Sequence, residues 1–286
     1  MTAELEAALD LATRLSREAA SEILRVRTKA RAGATEKPEG QGPVTEADLA
    51  ADRILYRGMT AAFPDDLVIT EERWTVGESI ASAPRAWFID PLDGTQEFVR
   101  GGADYAVMIG LCVDGEPVLG VVTQPETGIV WRALCPPGGP TLCERLEPSG
   151  SSVPLDVRGE QLPGRETPRA AVSRSHPSRL VSFLAGALGV QVVKKGSVGL
   201  KIGLIVDGEA DLYVSGSRRI KVWDTAGPHA ILKAAGGSMT ALDGTPLRYH
   251  GTAAHGGGVR AWTPTAQERV GPRLEEALAR WREMNR

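Results

Sequence analysis

Residues 105–134, YAVMIGLCVDGEPVLGVVTQPETGIVWRAL, restrict the fold more than any other stretch. Three apolar runs are separated by DGEP and PETG, both turn-forming clusters. The segment reads as a meander, and an antiparallel sheet follows from turns this short. Helices precede it. Leu5, Ala8, Leu9, Ala12, Leu15, Ala19, Ile23 and Val26 recur at spacings of three and four, which predicts a long helix over 3–31. The charged stretch GATEKPEGQGP at 33–43 breaks that pattern and reads as a mobile loop. A second helix begins near VTEADLAADRIL, with Thr45 as N-cap and Asp48 in a capping-box-like pairing, and closes at Phe63-Pro64.

Two short strands, LVITEE and AWFID, lie between that helix and the meander. From 135 to 168 the chain is rich in Pro, Gly and polar residues, so a long connection with at most one strand is expected. Beyond it, RAAVSRS, VQVVKKGS and DLYVS read as strands. HPSRLVSFLAGAL, GLKIGLIVDGEA and WDTAGPHAILKAAGG read as helices, the last ending on a Gly C-cap. The alternation predicts an α/β second half. Two subdomains are expected: residues 1–150, with the antiparallel sheet, and 151–286.

The 286 residues carry a net charge of −3, so no nucleic-acid-binding surface is expected. No apolar run approaches a membrane span, and the acidic N-terminus does not read as a signal peptide. A cytoplasmic location is the default expectation. Cys112, Cys135 and Cys143 form no CxxC pair, which argues against a disulfide framework or a zinc cage. Cys112 reads as a small core residue. His229, His250 and His255 lack ligand-like spacing and read as core or surface residues.

WFIDPLDGTQEF at 87–98 places Asp90 and Asp93 on one tight turn. Like charges so close raise each other's pKa unless a cation compensates, and hard divalent ions such as Mg²⁺ take carboxylate oxygens. Pro91 stiffens the turn, Gly94 permits its geometry, and Thr95 adds a hydroxyl. A helix starting after the turn would offer N–H groups to an anion. Carboxylates, a hydroxyl and backbone donors together are the inventory for metal-assisted hydrolysis of a phosphate ester. An acidic β-turn without function is the plain alternative. Glu71 and Glu72 at another strand end, Asp224 at a helix start and Asp48 weaken it.

VTEAD, ITEE, DPLDGTQEF and KVWDTAGPHAILKAAGG, in this order, resemble the inositol monophosphatase superfamily of Mg²⁺-dependent, lithium-sensitive phosphatases. The resemblance covers about Thr45 to Gly237 and implies an α/β fold, a layered α/β/α/β/α sandwich. Within the superfamily, Glu97-Phe98, SRSH at 173–176 and KKGSVGLKIGLIVDGEADLY are most similar to the 3′(2′),5′-bisphosphate nucleotidases. CPPGGPTLC and WDTAGPH depart from that pattern.

The resemblance implies that Glu71, Asp90 and the main-chain carbonyl of Leu92 bind one Mg²⁺. It also implies that Asp90, Asp93 and Asp224 bind a second, with Glu72 serving a third, weaker site. Thr95 and Asp48 would be the proton pair that helps deprotonate the attacking water. The amides of Gly94 and Thr95 would hold the phosphate, and Ser173, His176, Ser197 and Lys201 would contact the nucleotide. Lys194, Lys195, Arg218, Arg219 and Lys221 read as solvated charges. The expected partner is a small-molecule phosphate ester, with adenosine 3′,5′-bisphosphate first. Inositol monophosphate, histidinol phosphate and fructose 1,6-bisphosphate are the alternatives, and a non-catalytic binding protein on the same fold is a further one. Relatives are often homodimers, though no apolar stripe identifies an interface.

Overall fold

A computed structural model of the chain describes residues 2–29, 35–36, 43–159, 166–176 and 178–285. The 33–43 stretch, expected to be a mobile loop, lies mostly outside them. The first half contains α1 (Thr2–Lys29), a ribbon of β1 (Thr35–Glu36) and β2 (Pro43–Val44), α2 (Glu46–Ala62) and β3 (Leu67–Thr70). It continues with β4 (Arg85–Asp93), α3 (Thr95–Val99), β5 (Ala106–Val113), β6 (Glu116–Thr123), β7 (Val130–Leu134), β8 (Leu142–Leu146) and β9 (Ser152–Pro154). The second half contains β10 (Arg169–Ser173), α4 (Arg179–Leu188), β11 (Gln191–Lys195), α5 (Val198–Val206) and β12 (Leu212–Ser215). It ends with α6 (Val222–Ala234), β13 (Ser238–Ala241), β14 (Val259–Trp262) and α7 (Pro264–Met284).

Strands β3 to β9 form one seven-stranded sheet in chain order, with only the β3–β4 pair parallel. The expected long connection at 135–168 is corrected here: it contributes two strands, β8 and β9, to that sheet. The dense Pro and Gly around LCERL hid a short strand that buries Cys143 on one face and Leu146 on the other. A second sheet has the order β11-β10-β12-β14-β13, parallel through its first three strands and antiparallel beyond.

Period-two alternation along β4 decides the layers. Trp87 and Ile89 join the cluster formed with α1 and α2, whereas Ala86 and Phe88 face α5 and α6. The second sheet covers α5 and α6 from the other side, through Ala171, Tyr213 and Ala261. Its outer face carries α4 and α7. The result is an α/β/α/β/α sandwich, as expected from the motifs. Strands β13 and β14 and helix α7 follow the last motif and had no reading from sequence.

Glycines let α6 lie directly on the first sheet. A Cβ on Gly110 would come 2.3 Å from Gly227 N, and one on Gly120 would come 2.2 Å from Gly227 O. Real Cβ atoms do not tolerate such distances. This close approach brings the start of α6, and with it Asp224, to the end of β4.

Candidate active site

Asp90 continues the Ala86–Phe88 face of β4 and is 1% exposed. Pairing with β5 shifts register between Asp90 and Asp93, and Gly94 follows at φ +99°. A Cβ on Gly94 would meet the Asp104 carbonyl at 2.8 Å, so the turn requires glycine on two counts. Within it, Asp90 Oδ1 accepts from Leu92 N at 2.9 Å.

A cavity of about 910 Å³ opens at this turn. Glu71 enters it from the end of β3, Asp90 and Asp93 from β4, Thr95 from α3 and Asp224 from α6. Leu92, Gly94, Ser173, His176, Ser197 and Lys201 also line it. Asp48 stands behind Thr95, 2% exposed, and accepts from Thr95 Oγ1 at 3.2 Å. Its other oxygen accepts from Thr45 N at 2.8 Å and Thr45 Oγ1 at 2.5 Å, closing the capping box of α2. The same residue therefore caps a helix and reaches the site.

Burial, with the Asp93 and Glu71 carboxylates nearby, pushes Asp224 well above the usual carboxylate range. Hydrogen bonds from Lys221 N, at 2.8 Å, and with Asp90 oppose that shift. Burial also raises Glu97. Among the described residues no three His, Cys, Asp or Glu side chains are already drawn into a metal cage. The acids share a cavity instead, and burial with the Asp93 and Glu71 carboxylates disfavours charge on Asp224. An all-carboxylate donor set suits a hard divalent ion, so the residues present fit such a metal.

Lys201 is 3% exposed, and its ammonium donates to the carbonyls of Gly196 at 2.9 Å and Ser197 at 2.8 Å. Burial lowers its pKa to about 8. His176 is exposed, and its main-chain N–H donates to Ser173 Oγ at 3.2 Å. Arg218, Arg219 and Lys194 are exposed along the cavity wall. The reading of Lys195 as a solvated charge is corrected: its Nζ lies 3.1 Å from Asp104 Oδ1. Sequence reasoning assigned no role to Asp104 or to Trp74. Trp74 lines the cavity, with its ring 5.5 Å from that of Trp223 and Lys221 Nζ 5.2 Å from its centre. An aromatic residue so soon after the strand-end glutamates could have flagged Trp74. Nothing local flags Asp104.

His229 and His255 bond groups of the core, whereas His250 is exposed. His255 Nε2 lies 2.7 Å from Thr225 Oγ1, and His229 Nδ1 lies 2.9 Å from Tyr249 Oη. Burial lowers His229 from 6.5 to about 3. The unfolded chain therefore binds a proton at this imidazole below pH 6.5 while the folded chain does not. Stability should fall as pH drops from 6.5 toward 4, by about 1.4 kcal/mol per pH unit from this residue alone. Urea titrations of the wild type and His229→Gln across that range check it: the variant should show the shallower pH slope.

A family model described as "Inositol monophosphatase family" matches residues 4–279. The chain belongs to the inositol monophosphatase family. It is a phosphatase. Among curated proteins of that family, the Escherichia coli O157:H7 3′(2′),5′-bisphosphate nucleotidase CysQ is 31% identical over 241 residues, 84% of this chain and 93% of the relative. The 3′-phosphoadenosine 5′-phosphate phosphatase of Mycobacterium bovis is 34% identical over 210 residues, 71% of each chain. Among solved structures, an IMPase from Thermotoga maritima aligns with TM-score 0.76 at 22% identity, covering 96% of this chain and 98% of that one. An inositol monophosphatase from Zymomonas mobilis aligns with TM-score 0.71 at 26% identity, covering 95% and 98%. No helix among the described residues is long and apolar enough to cross a membrane.

Proposed function

We propose that the protein is a Mg²⁺-dependent phosphomonoesterase that hydrolyses adenosine 3′,5′-bisphosphate to AMP and phosphate. The observation that carries this reading is that Glu71, Asp90, Asp93 and Asp224 line one cavity together with Thr95, which is hydrogen-bonded to Asp48. Glu71, Asp90 and the Leu92 carbonyl would hold one Mg²⁺, and Asp90, Asp93 and Asp224 a second. Glu72 does not line the cavity and is given no ligand role in this reading. When bound, the metal supplies positive charge to the phosphate oxygens and acidity to a water molecule.

The protein's own groups do the rest. Thr95 has one hydroxyl proton, directed at Asp48 Oδ1 or at the Leu92 carbonyl 3.1 Å away. Its lone pairs stay free to accept a hydrogen bond from the attacking water; as that water's proton passes to Thr95 Oγ1, the hydroxyl's own proton passes to Asp48 Oδ1. Thr45 locks Asp48 in that orientation. The amides of Gly94 and Thr95 orient the phosphate.

Ser173 and His176 flank the nucleoside in this reading, while buried Ser197 and Lys201 are tied to Asp93 and to the backbone and support the wall behind them. Lys194, Arg218 and Arg219 place positive charge where a second phosphate would lie. The names of the similar nucleotidase and phosphatase favour the same substrate. Two subdomains, divided after β9 rather than at residue 150, meet at the cavity, and sensitivity to Li⁺ and a homodimer belong to the same reading. Comparing kcat/KM for adenosine 3′,5′-bisphosphate, inositol monophosphate, histidinol phosphate and fructose 1,6-bisphosphate tests the substrate. The bisphosphate nucleotide should lead; a higher value for inositol monophosphate overturns the choice.

A further inference from the structure

The segment Lys195–Val198, between β11 and α5, meets Asp93 on one side and Asp104 on the other. Ser197 has φ +31° and ψ 135°, a backbone conformation unusual for a residue with a side chain. Such conformations persist where the surroundings over-determine them. Here they do so on three sides.

Asp104 Oδ2 accepts from Gly196 N at 3.2 Å and from Arg174 Nε at 2.8 Å, while Lys195 Nζ reaches Oδ1. The fit behind that bond is tight. A Cβ on Gly196 would lie 2.1 Å from the Asp104 carbonyl oxygen and 2.9 Å from Glu97 Cγ. From the helix side, buried Lys201 holds the Gly196 and Ser197 carbonyls. The outcome is directional. Ser197 Oγ donates to Asp93 Oδ2 at 2.7 Å, and Val198 N donates to the same oxygen. Asp93 Oδ1 is thereby left as the oxygen for a cation.

We propose that Asp104 is a positioning residue: through Gly196 it fixes Ser197 in its strained conformation, and so sets which oxygen of Asp93 faces the metal. Arg174 and Lys195 hold Asp104 in place, and their charges keep its carboxyl below the usual range despite its burial. Asp104 itself does not line the cavity. Its effect falls on the cation that Asp93 would help bind and spares the one held by Glu71, Asp90 and Leu92. This inference rests on the magnesium reading above.

The test is calorimetric titration of Mg²⁺ into the full-length, metal-stripped wild type, Asp104→Ala and Asp104→Asn, with thermal unfolding recorded for each. In Asp104→Ala one of two binding steps should weaken by about tenfold, as loss of an outer support of a metal ligand typically does. The other step should stay within about twofold of wild type. Asp104→Asn keeps an acceptor for Gly196 N and should lie between. Restored phosphate release at high Mg²⁺, with an unchanged KM for the ester, should accompany this. Two unaltered steps in a folded variant overturn the proposal, and so does equal weakening of both, which is what general loosening produces. If Asp104→Ala does not fold, Asp104→Asn is judged by the same criteria. A wild type that takes up no Mg²⁺ overturns the magnesium reading itself and this inference with it.

Discussion

Asp90→Asn should lower kcat for phosphate release by about a thousandfold or more while leaving the fold intact. Asp90 sits at the centre of the acids, adjoining Glu71 across the β3–β4 pair and hydrogen-bonded with Asp224. In the proposed arrangement it is the one carboxylate shared by both cations. Asparagine keeps the shape and can still accept from Leu92 N, but it removes the charge from both metal positions at once. Metal stabilisation of a phosphoryl transition state is worth several kcal/mol, and each 1.4 kcal/mol is tenfold in rate. The folded state should not suffer, because asparagine keeps the volume of Asp90 and the acceptor for Leu92 N while removing a buried charge. Steady-state kinetics at saturating Mg²⁺, with a thermal melt as control, decides it. A rate within tenfold of wild type would place the essential charge elsewhere.

Gly110→Ala should cost about 3 kcal/mol of stability, at the upper end of what one inserted methyl does in a packed interior. The new methyl would meet Gly227 N at 2.3 Å and Ala226 C at 2.6 Å, both backbone atoms of α6. Backbone cannot rotate aside as a side chain can, so the helix must lift from β5. Because α6 begins with Asp224 in its first turn, lifting it also moves a site carboxylate. Activity of the folded fraction should therefore fall together with stability. Gly186→Ala in exposed α4 is the control. A Cβ there has nothing within 4 Å, so it should stabilise slightly, by about 0.5–1 kcal/mol through helix propensity. Urea unfolding of both variants supplies the numbers, and equal midpoints for Gly110→Ala and wild type would contradict the packing described here.

The parts of this molecule that sequence made legible are those in which one residue type has one physical use. Continuous apolar runs broken by DGEP and PETG read as a meander, and β5 to β7 are that meander. Thr45 and Asp48 could be read as a capping box, and they form one. The layered sandwich was implied by the family resemblance that the acid-bearing motifs carry. Strands β8 and β9 were hidden because Pro and Gly around a five-residue strand outweigh its weak apolar pattern. The C-terminal β13, β14 and α7 carry no motif. Asp104 was illegible for a different reason: its role depends on Arg174, Lys195 and Gly196, some 70 to 92 residues away, which only the packing of the two sheets brings together. Lys201 shows the same limit. A lysine near a phosphate site suggests an outward charge, yet its ammonium is spent on two carbonyls of its own helix start.

The initial rate of phosphate release from adenosine 3′,5′-bisphosphate, followed in excess chelator and again as free Mg²⁺ is restored, addresses the shared-cation site most directly. No release above background in chelator, and recovery that saturates with Mg²⁺, is the expected result. Undiminished release in chelator would mean that Glu71, Asp90, Asp93 and Asp224 do not gather around magnesium to perform the reaction.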